Sequence, residues 1–472
     1  MRRRKFIGKS GAALAGVASF SIVPSHVFGK ALGHVAPSDK VNLAGIGIGH
    51  RGGSILRSLH ETGIANVVAL CDVDMDGMHT AKSKEQFAAV ARFTDFRKMF
   101  DEIGDDIEAV SVGTPDFSHF PITMLAMSLG KHVYVEKPLA RTFNEIELMM
   151  AGAKTHGVVT QMGNQGHSGE NYFQFKAWKE AGVINDVTAM TAHMNNARRW
   201  HGFDPRITSF PAAEQLPEQM DWDVWLNTAQ WHNYNKDFHH GQWRCWYDFG
   251  MGALGDWGAH IMDTAHQFLD LGLPYEVNPT LLSGHNSFFF PFSSTIEFKF
   301  PERKEMPAMQ ITWYDGTDNI PPVPKGYGVS EIDPNIPPPS NGALQPAKLN
   351  PGKIIYGKDL TFKGGTHSAP LKIIPEEAAN DMASTLPNVP ESPSNHFANF
   401  LKACKGEEEA RSSFEIAGPL SQVFCLGVIA QQLSSKLLFD RETKTITNNK
   451  FANELLTGTP PRQGWEEYYQ MA

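Results

Sequence analysis

The sequence contains few cysteines, and they form no pattern. Four cysteines occur in 472 residues, at Cys71, Cys245, Cys404 and Cys425. No pair has the short spacing of a zinc or redox motif, and scattered cysteines in a long chain are typical of buried, small apolar side chains. This argues against a disulfide framework. Apart from Asp256 and His260, no acidic residues or histidines have metal-ligand spacing, so we expect no metal centre.

The chain also lacks a long apolar run and, beyond its first residues, a basic run. Its formal net charge is -9, which argues against nucleic acid as a partner and favours a small neutral or polar substrate. The apolar run 11–23 is too short and too weakly apolar to span a bilayer, so we expect no integral membrane span. With 41% hydrophobic and 20% charged residues, the composition is that of a globular protein with room for two domains.

The N-terminus has the pattern of an export signal. Arg2-Arg3-Arg4-Lys5 precedes the short apolar run, and Arg3-Arg4-x-Phe6 resembles the twin-arginine type. The alternative is a disordered basic tail. We expect residues 1–38 to be a signal and linker arm and the protein to be periplasmic, or cytoplasmic if the leader does not function. No small-x-small cleavage site stands out, so removal of the leader stays open.

A glycine-rich turn follows the arm. Apolar residues from Val41 predict a buried strand, the strand runs into Gly47-x-Gly49-x-x-Gly52, and residues at helical spacing follow. The order strand, tight turn, helix brings a pyrophosphate against backbone N–H groups at a helix N-terminus, where side chains would obstruct it. Glycine-rich turns also occur where no ligand binds, so the motif alone does not decide the function.

The next apolar segment ends in a carboxylate. Residues 66–72 read as a second strand, and Asp72 stands 20 positions after Gly52. A carboxylate at this place accepts hydrogen bonds from the ribose 2′-OH of a dinucleotide and repels a 2′-phosphate. Asp72 therefore favours NAD over NADP.

Strands and helices alternate through the first 160 residues, which predicts βαβ units and a doubly wound parallel sheet. The predicted strands are 41–47, 66–72, 108–113, 132–135 and 157–162, and the predicted helices are 53–62, 75–90, 119–130 and 142–156. Two strand ends carry loops that should face a ligand, because open parallel sheets bind ligands there. These loops are 113–119 and Glu136-Lys137-Pro138. An isolated Glu-Lys would usually be a solvated ion pair, but its place at a strand end favours a role in binding.

The rest of the chain predicts a second α/β layer. Strands are expected at 187–194, 276–284, 295–300, 309–314 and 353–362, largely antiparallel, with helices at 170–182, 250–272, 396–405 and 414–436. Residues 320–351 are rich in proline, and 375–393 read as a second surface loop. Tryptophans beside Asn, His and Arg in 195–247 suit a carbohydrate, although each tryptophan taken singly is better explained as core. On helix 250–272 a polar stripe carries Asp256 and His260 one turn apart.

Five sequence features carry a resemblance to a known family. They are Gly47-x-Gly49-x-x-Gly52, Asp72, Thr114-Pro115-Asp116-x-x-His119, Glu136-Lys137-Pro138 and Gly255-Asp256-Trp257-Gly258-Ala259-His260. Together they resemble the glucose-fructose oxidoreductase/inositol dehydrogenase (Gfo/Idh/MocA) family. The leader and the Pro-rich loop resemble its exported bacterial branch. The resemblance implies a Rossmann domain at 39–162, and a C-terminal α/β domain at 163–472 with a large, mostly antiparallel open sheet. It also implies a homodimer or homotetramer formed through that sheet.

The resemblance further implies NAD-dependent hydride transfer at a carbon of a sugar, polyol or glycoside. Lys137, Asp256 and His260 match the catalytic trio. We expect His260 to act as general base, Asp256 to orient His260, and Lys137 to bind the reacting oxygen. The residues expected to bind NAD are Gly47, Gly49, Arg51, Gly52, Asp72, Thr114, Pro115, Asp116, His119, Glu136, Lys137 and Gln165.

Three alternatives stay open. One is a redox-neutral NAD-dependent glycosidase, which oxidises a sugar carbon, eliminates the aglycone and returns the hydride. Another is a noncatalytic sugar or nucleotide sensor, against which the joint presence of the trio argues. A metal enzyme is the third, and activity without metal would exclude it.

Overall fold

The computed structural model describes residues 39–196, 198–199, 204–239, 241–304, 306–327 and 349–472. Val41–Ala472 form one compact unit, which contains every strand of the two sheets. The predicted export signal at 1–38 lies outside the described residues. So do Trp200, His201 and His240 of the aromatic stretch, and residues 328–348 of the Pro-rich loop.

The first sheet has six strands, all paired in parallel, in the order β3-β2-β1-β4-β5-β6. Its strands are β1 (Val41–Ile46), β2 (Ala65–Cys71), β3 (Ala91–Phe93), β4 (Ala109–Val112), β5 (His132–Val135) and β6 (Thr160–Met162). Its helices are α1 (His50–Glu61), α2 (Ala81–Gln86), α3 (Phe96–Ile103), α4 (His119–Ser128) and α5 (Phe143–His156). Strands β4 and β5 are almost wholly buried, as expected for a parallel sheet covered on both faces. The predicted doubly wound sheet is confirmed.

The second sheet has nine strands in the order β13-β12-β11-β7-β10-β9-β8-β14-β15. These are β7 (Ala189–Met194), β8 (Glu276–Ser283), β9 (Ser293–Phe300), β10 (Met309–Asp315), β11 (Gly352–Tyr356), β12 (Thr361–Gly364), β13 (Lys372–Ile374), β14 (Leu437–Asp440) and β15 (Thr445–Ile446). Only β7 and β10 pair in parallel among the recorded pairs of this sheet. The predicted open, mostly antiparallel sheet is confirmed.

Eight further helices follow β6 in the described part of the chain. They are α6 (Glu170–Glu180), α7 (Trp222–Leu226), α8 (Gly252–Ile261), α9 (Asp263–Phe268), α10 (Glu376–Met382), α11 (His396–Cys404), α12 (Phe414–Leu433) and α13 (Lys450–Thr457). Among the described residues, α12 alone has the length and apolarity that a membrane crossing requires, and 78% of its apolar window is buried inside the protein. Its residues belong to the same apolar core as residues of both sheets. That burial is the pattern of a core helix.

Four predicted elements differ from the structure. The helix expected at 75–90 is reduced to a 3-10 turn at Met78–Thr80 and α2, and the helix expected at 250–272 breaks at Met262 between α8 and α9. The strand expected at 353–362 is a hairpin of β11 and β12, because Gly357, Lys358 and Asp359 form a turn between two short apolar runs. The region 375–393 contains α10, which begins after Pro375 with two glutamates in its first turn.

Candidate active site

The glycine turn joins β1 to α1. Gly47 has φ +73°, and a Cβ placed on Gly52 would lie 1.8 Å from the carbonyl oxygen of Gly47, so both positions require glycine. Helix α1 begins directly after Gly49, and no side chain caps its first N–H groups. The turn therefore leaves a helix N-terminus open to an anionic group, as the sequence predicts.

Asp72 ties the end of β2 to this turn. One of its carboxylate oxygens accepts the N–H of Ile48 at 3.0 Å, and the other accepts the N–H of Asp74 at 3.1 Å. The imidazole Nε2 of His79 lies 3.6 Å from the second oxygen. The carboxylate is nearly buried and lies on the wall of a cavity beside the turn.

This cavity, of about 460 Å³, lies along the glycine turn. Half of the residues predicted to bind the cofactor line it, namely Gly47, Gly49, Arg51, Asp72, Thr114 and Pro115. The other six are not among its lining residues, namely Gly52, Asp116, His119, Glu136, Lys137 and Gln165. The structure thus places half of the predicted set directly on the cavity wall.

Glu136 supports Arg51, a residue of the cavity wall. Its Oε1 accepts hydrogen bonds from Gln165 Nε2 at 3.1 Å and from Arg51 Nη2 at 3.5 Å. The glutamate is buried, whereas the arginine is half exposed, and the carboxylate raises the pKa of Arg51. Glu136 and Gln165 therefore hold Arg51 in place at the edge of the cavity.

His119 connects two loops through hydrogen bonds, whereas the sequence predicts that it contacts the cofactor. Its side chain is completely buried, with Nδ1 2.8 Å from the carbonyl oxygen of Pro138 and Nε2 3.0 Å from that of Thr114. Burial lowers the pKa of His119 to about 4, so the ring is neutral and donates to one of the two carbonyls. The histidine connects the loop after β4 to the loop after β5.

Asp116 likewise supports the site from behind. Its Oδ2 accepts the N–H of Met251 at 3.1 Å, one residue before α8 begins. Burial raises the pKa of Asp116 to about 7, against the opposing charges of Arg244 and Lys137. The carboxyl group anchors the start of α8 to the first sheet.

Lys137 and Asp256 are in direct contact. The ammonium of Lys137, just after β5, lies 2.8 Å from Asp256 Oδ1 and also donates to the backbone carbonyl of Asp256 at 2.7 Å. Every residue of α8 is buried, so the predicted polar stripe faces the protein interior at this point. The structure therefore brings together two members of the predicted trio, one from a strand end of the first sheet and one from helix α8.

Three arginines share the same carboxylate. Both Nε and Nη2 of Arg199 lie 2.7 Å from Asp256 Oδ2, whereas the nearest nitrogens of Arg198 and Arg244 lie 3.9 Å from the carboxylate. Burial alone would raise the pKa of Asp256, but Arg199, Lys137, Arg244 and Arg198 hold it well below its usual range. Asp256 is therefore a permanent anion among four cations.

His260 lies one turn further along α8, but Asp256 does not orient it as predicted. The described hydrogen bonds of the Asp256 carboxylate go to Lys137 and Arg199, because these cations lie closer to it than the imidazole. The imidazole of His260 instead stacks on His367, with ring centroids 4.1 Å apart. Its Nδ1 is buried and has no hydrogen-bond partner among the described residues.

The charge state of His260 follows from its surroundings. Burial, His367 and Lys137 lower its pKa well below the usual value, and Asp256 opposes them only in part. The ring is therefore neutral at neutral pH and able to accept a proton. The contact with His367 was not predicted, because His367 follows β12, more than 100 positions away, and no motif marks it.

The trio itself does not line the cavity. The wall beside it is formed by Arg198, Arg199 and Arg244. All three arginines lie within 4 Å of the Asp256 carboxylate, and the side chains of Lys137 and Asp256 are 11% and 8% exposed. These arginines belong to the stretch predicted to suit a carbohydrate and had no separate predicted role.

The aromatic residues divide between core and cavity. Trp222 and Trp246 are buried in a separate apolar cluster, whereas Trp225 and Trp243 belong to that cluster and also line the cavity. Trp231 is 58% exposed. For the described residues, no three His, Cys, Asp or Glu side chains are placed to hold a metal ion.

Comparison with known proteins agrees with this architecture. Residues 41–164 match the NAD-binding Rossmann fold of the Gfo/Idh/MocA oxidoreductase family, and residues 184–279 match the C-terminal α/β domain of that family. Among curated relatives, a glycosyl hydrolase family 109 protein from Streptomyces niveus is 31% identical over 188 residues, 39% of this chain and 38% of that protein.

A second curated relative is an alpha-N-acetylgalactosaminidase from Shewanella oneidensis. It is 32% identical over 163 residues, which cover 31% of this chain and 35% of that protein. The chain thus spans little more than a third of the length of these two relatives.

Solved structures extend the likeness over most of the chain. An aldose-aldose oxidoreductase from Caulobacter crescentus, complexed with glycerol, has a TM-score of 0.54 at 15% identity and covers 85% of this chain and 100% of its own. The WlbA dehydrogenase from Bordetella pertussis, complexed with NADH and UDP-GlcNAcA, has a TM-score of 0.55 at 14% identity, with 85% and 99% covered. At these identities the likeness shows the fold.

With both of its domain models matched in order, the chain belongs to the Gfo/Idh/MocA oxidoreductase family, and its first domain is an NAD-binding Rossmann domain.

Proposed function

We propose that this protein interconverts a hydroxyl and a carbonyl group at one carbon of a sugar, polyol or glycoside, with NAD as its cofactor. The observation that supports this most directly is the contact of Lys137 with Asp256, one helical turn from the neutral imidazole of His260. An ammonium donor and a proton acceptor side by side are what oxidation of an alcohol requires.

The residues around the glycine turn fit NAD. Gly47 and Gly49 line the cavity at the uncapped N-terminus of α1, where a pyrophosphate can approach the backbone. The Asp72 carboxylate on the same wall suits a ribose hydroxyl and repels a 2′-phosphate. When bound, NAD accepts a hydride from the substrate carbon or returns it.

Lys137 is suited to bind the reacting oxygen. Its ammonium has three N–H donors, and the described acceptors, the carbonyl and Oδ1 of Asp256, use two of them. The third can donate to a substrate hydroxyl and stabilise the negative charge that develops on its oxygen. The two contacts with Asp256 hold the ammonium in position for this hydrogen bond.

His260 is suited to take the hydroxyl proton. Its ring is uncharged, and Nδ1 has no partner among the described residues, so the imidazole retains a proton-accepting capacity. Because the ring stacks on His367, its orientation is set by packing rather than by a carboxylate. In the reverse direction the protonated ring returns the proton to the alkoxide.

The names of the curated relatives favour a second candidate, a redox-neutral glycosidase. In that reaction, oxidation at one sugar carbon acidifies the neighbouring C–H, and loss of that proton expels the aglycone. Water then adds to the double bond, and the carbonyl is reduced again, so that no NADH accumulates. Lys137 and His260 would have the same tasks in its first step.

One assay separates the two candidates. The purified full chain is incubated with NAD and a panel of free sugars and aryl glycosides, and NADH absorbance, keto-sugar mass and aglycone release are measured. NADH with a keto-sugar supports the dehydrogenase, and aglycone release without net NADH supports the glycosidase. The absence of all three products across the panel would contradict both.

Export is a separate proposal, supported by the basic residues 2–5 followed by an apolar run. We infer that an exported enzyme of this kind holds NAD tightly, because free NAD is not expected outside the cytoplasm. Mass spectrometry of the denatured protein should then release NAD that survived purification. Protein that is isolated free of cofactor and binds NAD only at micromolar or weaker affinity would contradict this.

A further inference from the structure

Arg244 presents a guanidinium group on the cavity wall beside the trio. Its guanidinium carbon lies 4.1 Å from the ring centroid of Trp243, so the indole supports its flat face. Its Nε is 3.9 Å from Asp256 Oδ1, and the side chain is 26% exposed. Within the described part of the chain, the Arg244 side chain makes no hydrogen bond, which leaves its donors available.

Among the described residues, the cavity end at Arg244 carries more cationic groups than carboxylates. Lys137, Arg198, Arg199 and Arg244 all lie within 4 Å of one carboxylate, that of Asp256. Two of these contacts, those of Lys137 and Arg199, are within hydrogen-bond distance, and they occupy both carboxylate oxygens. The Asp256 carboxylate therefore neutralises the charge of Arg244 only weakly, from 3.9 Å away.

The other carboxyl groups whose charge acts on Arg244 are those of Asp116 and Glu136, and Glu136 is already hydrogen-bonded to Arg51 and Gln165. Asp116 is buried, and its Oδ2 accepts a hydrogen bond from the backbone of Met251. Its pKa of about 7 leaves it only partly ionised at neutral pH. A cavity wall of this kind, with low dielectric around it, attracts anions.

The stacked guanidinium is also shaped for one class of anion. A guanidinium held flat on an aromatic ring offers paired N–H donors in a fixed plane, which match the two oxygens of a carboxylate or a phosphate. The pyrophosphate of NAD belongs at the glycine turn and the start of α1, where Arg51 lies. The arginines beside Lys137 and Asp256 are thus placed for the substrate.

We propose that the sugar substrate carries an acidic group, a carboxylate or a phosphate, and that Arg244 binds this group next to the carbon that reacts at Lys137. This inference rests on the proposed function and narrows its substrate class. It departs from the neutral or polar substrate expected from the net charge of -9, because local charge at the cavity, and not the charge of the whole chain, acts on a bound ligand.

The test compares matched neutral and acidic sugars. For a hexose, the corresponding hexuronic acid and the hexose 6-phosphate, kcat/KM is measured with wild-type protein and with R244Q, R244K and R206Q. Arg206 is the control, because it is an exposed arginine paired only with Asp204 among the described residues. The NAD dissociation constant and the melting temperature are measured for each variant.

We expect the wild type to prefer one of the acids over the neutral sugar. R244Q should lose this preference by about tenfold to a hundredfold, mainly through KM, since a hydrogen bond to a charged group is lost. R244K should retain part of it, and R206Q all of it. The acidic sugar whose kcat/KM falls most in R244Q identifies the group that Arg244 binds as a carboxylate or a phosphate.

Two results would overturn the proposal. In the first, R244Q lowers kcat/KM equally for acidic and neutral sugars. In the second, R244Q weakens NAD binding and leaves the sugar preference unchanged, which would assign Arg244 to the cofactor. If no sugar is turned over, the proposed function fails, but binding of the uronic acid and the sugar phosphate, measured by calorimetry with wild type and R244Q, still decides whether Arg244 holds an acidic sugar.

Discussion

The Nζ of Lys137 lies 2.8 Å from Oδ1 of Asp256, although 119 positions separate the two residues in the chain. Lys137 follows strand β5 of the parallel sheet, and Asp256 lies on helix α8. The residue before α8, Met251, is hydrogen-bonded to Asp116, which follows strand β4 of the same sheet. The contact joins the NAD-binding domain to the part of the chain that supplies His260. It is the geometric core of the proposed reaction.

Replacement of the carboxylate should destabilise the fold. Asp256→Asn leaves Lys137 and the three arginines without their shared anion in a buried site, and removal of one partner from a buried ion pair typically costs about 3–5 kcal/mol. We expect a loss of this order in the free energy of unfolding, measured by denaturant titration. Asp204→Asn, which removes an exposed carboxylate, is the control and should have little effect. Equal effects of the two substitutions would contradict this role for Asp256.

Replacement of Lys137 should slow turnover without loss of NAD. Lys137→Met keeps most of the side-chain volume but removes the donor to the reacting oxygen, and loss of such a donor costs about 3–4 kcal/mol, or roughly a hundredfold to a thousandfold in kcat. The NAD dissociation constant, measured by fluorescence, should stay near the wild-type value. Lys98→Met on the exposed side of α3 is the control. A Lys137→Met enzyme with normal kcat would refute the assignment.

Replacement of His260 should remove the proton acceptor. His260→Ala is expected to lower kcat by about a hundredfold to ten thousandfold, the usual contribution of a general base. His367→Ala removes the stacking partner but not the base, so it should reduce kcat less and raise the pKa seen in the pH profile of kcat/KM. Near-normal turnover by His260→Ala would show that another group takes the proton.

Stability should fall as the solution is acidified below about pH 6.5. Burial lowers the pKa of His119 and His193 to about 4 and that of His396 to about 3, so between these values and 6.5 the unfolded chain binds protons that the folded chain does not. Asp116 and Asp315, with pKa values raised to about 7 and about 6, act in the opposite direction. The three histidines outnumber the two carboxyls, so the net change is a loss.

A single substitution tests the contribution of one of these histidines. Without its imidazole, His193→Asn no longer contributes to proton uptake on unfolding, so the slope of unfolding free energy against pH between 5 and 6 should decrease by about 1.4 kcal/mol per pH unit. The measurement is denaturant unfolding at several pH values. His50→Asn, at an exposed position, is the control, and an identical slope for His193→Asn and the wild type would contradict the prediction.

A methyl group on the glycine turn should abolish NAD binding. In Gly52→Ala the new Cβ meets the backbone oxygen of Gly47, which cannot move away without deforming the turn. Gly104→Ala is the matched control, because the nearest atom to its Cβ would lie 4.0 Å away, at ordinary contact distance. Calorimetric titration with NAD should show binding to the control and none to Gly52→Ala. NAD binding by both variants would mean that the turn does not hold the cofactor.

The sequence was most informative where chemistry depends on neighbours in the chain. The spacing of Gly47, Gly49 and Gly52 and the place of Asp72 at a strand end predicted the turn and its sheet, because backbone conformation there leaves little choice of residue. It was less informative about supporting residues. His119 and Asp116 carry polar groups that suit a ligand, yet both are buried against backbone groups of distant loops, and burial cannot be read from residue type alone.

The parallel sheet, the glycine turn and the order of the motifs that contain Lys137, Asp256 and His260 follow from the order of residues alone, since they depend on local periodicity and on steric limits within a few residues. The partners of those side chains, in contrast, depend on how the chain folds in space. Packing places Lys137 and Arg199 on Asp256, and His367 on His260, across long stretches of chain. Because electrostatic and stacking energies depend on distance in space, the charge of the cavity emerges only after folding.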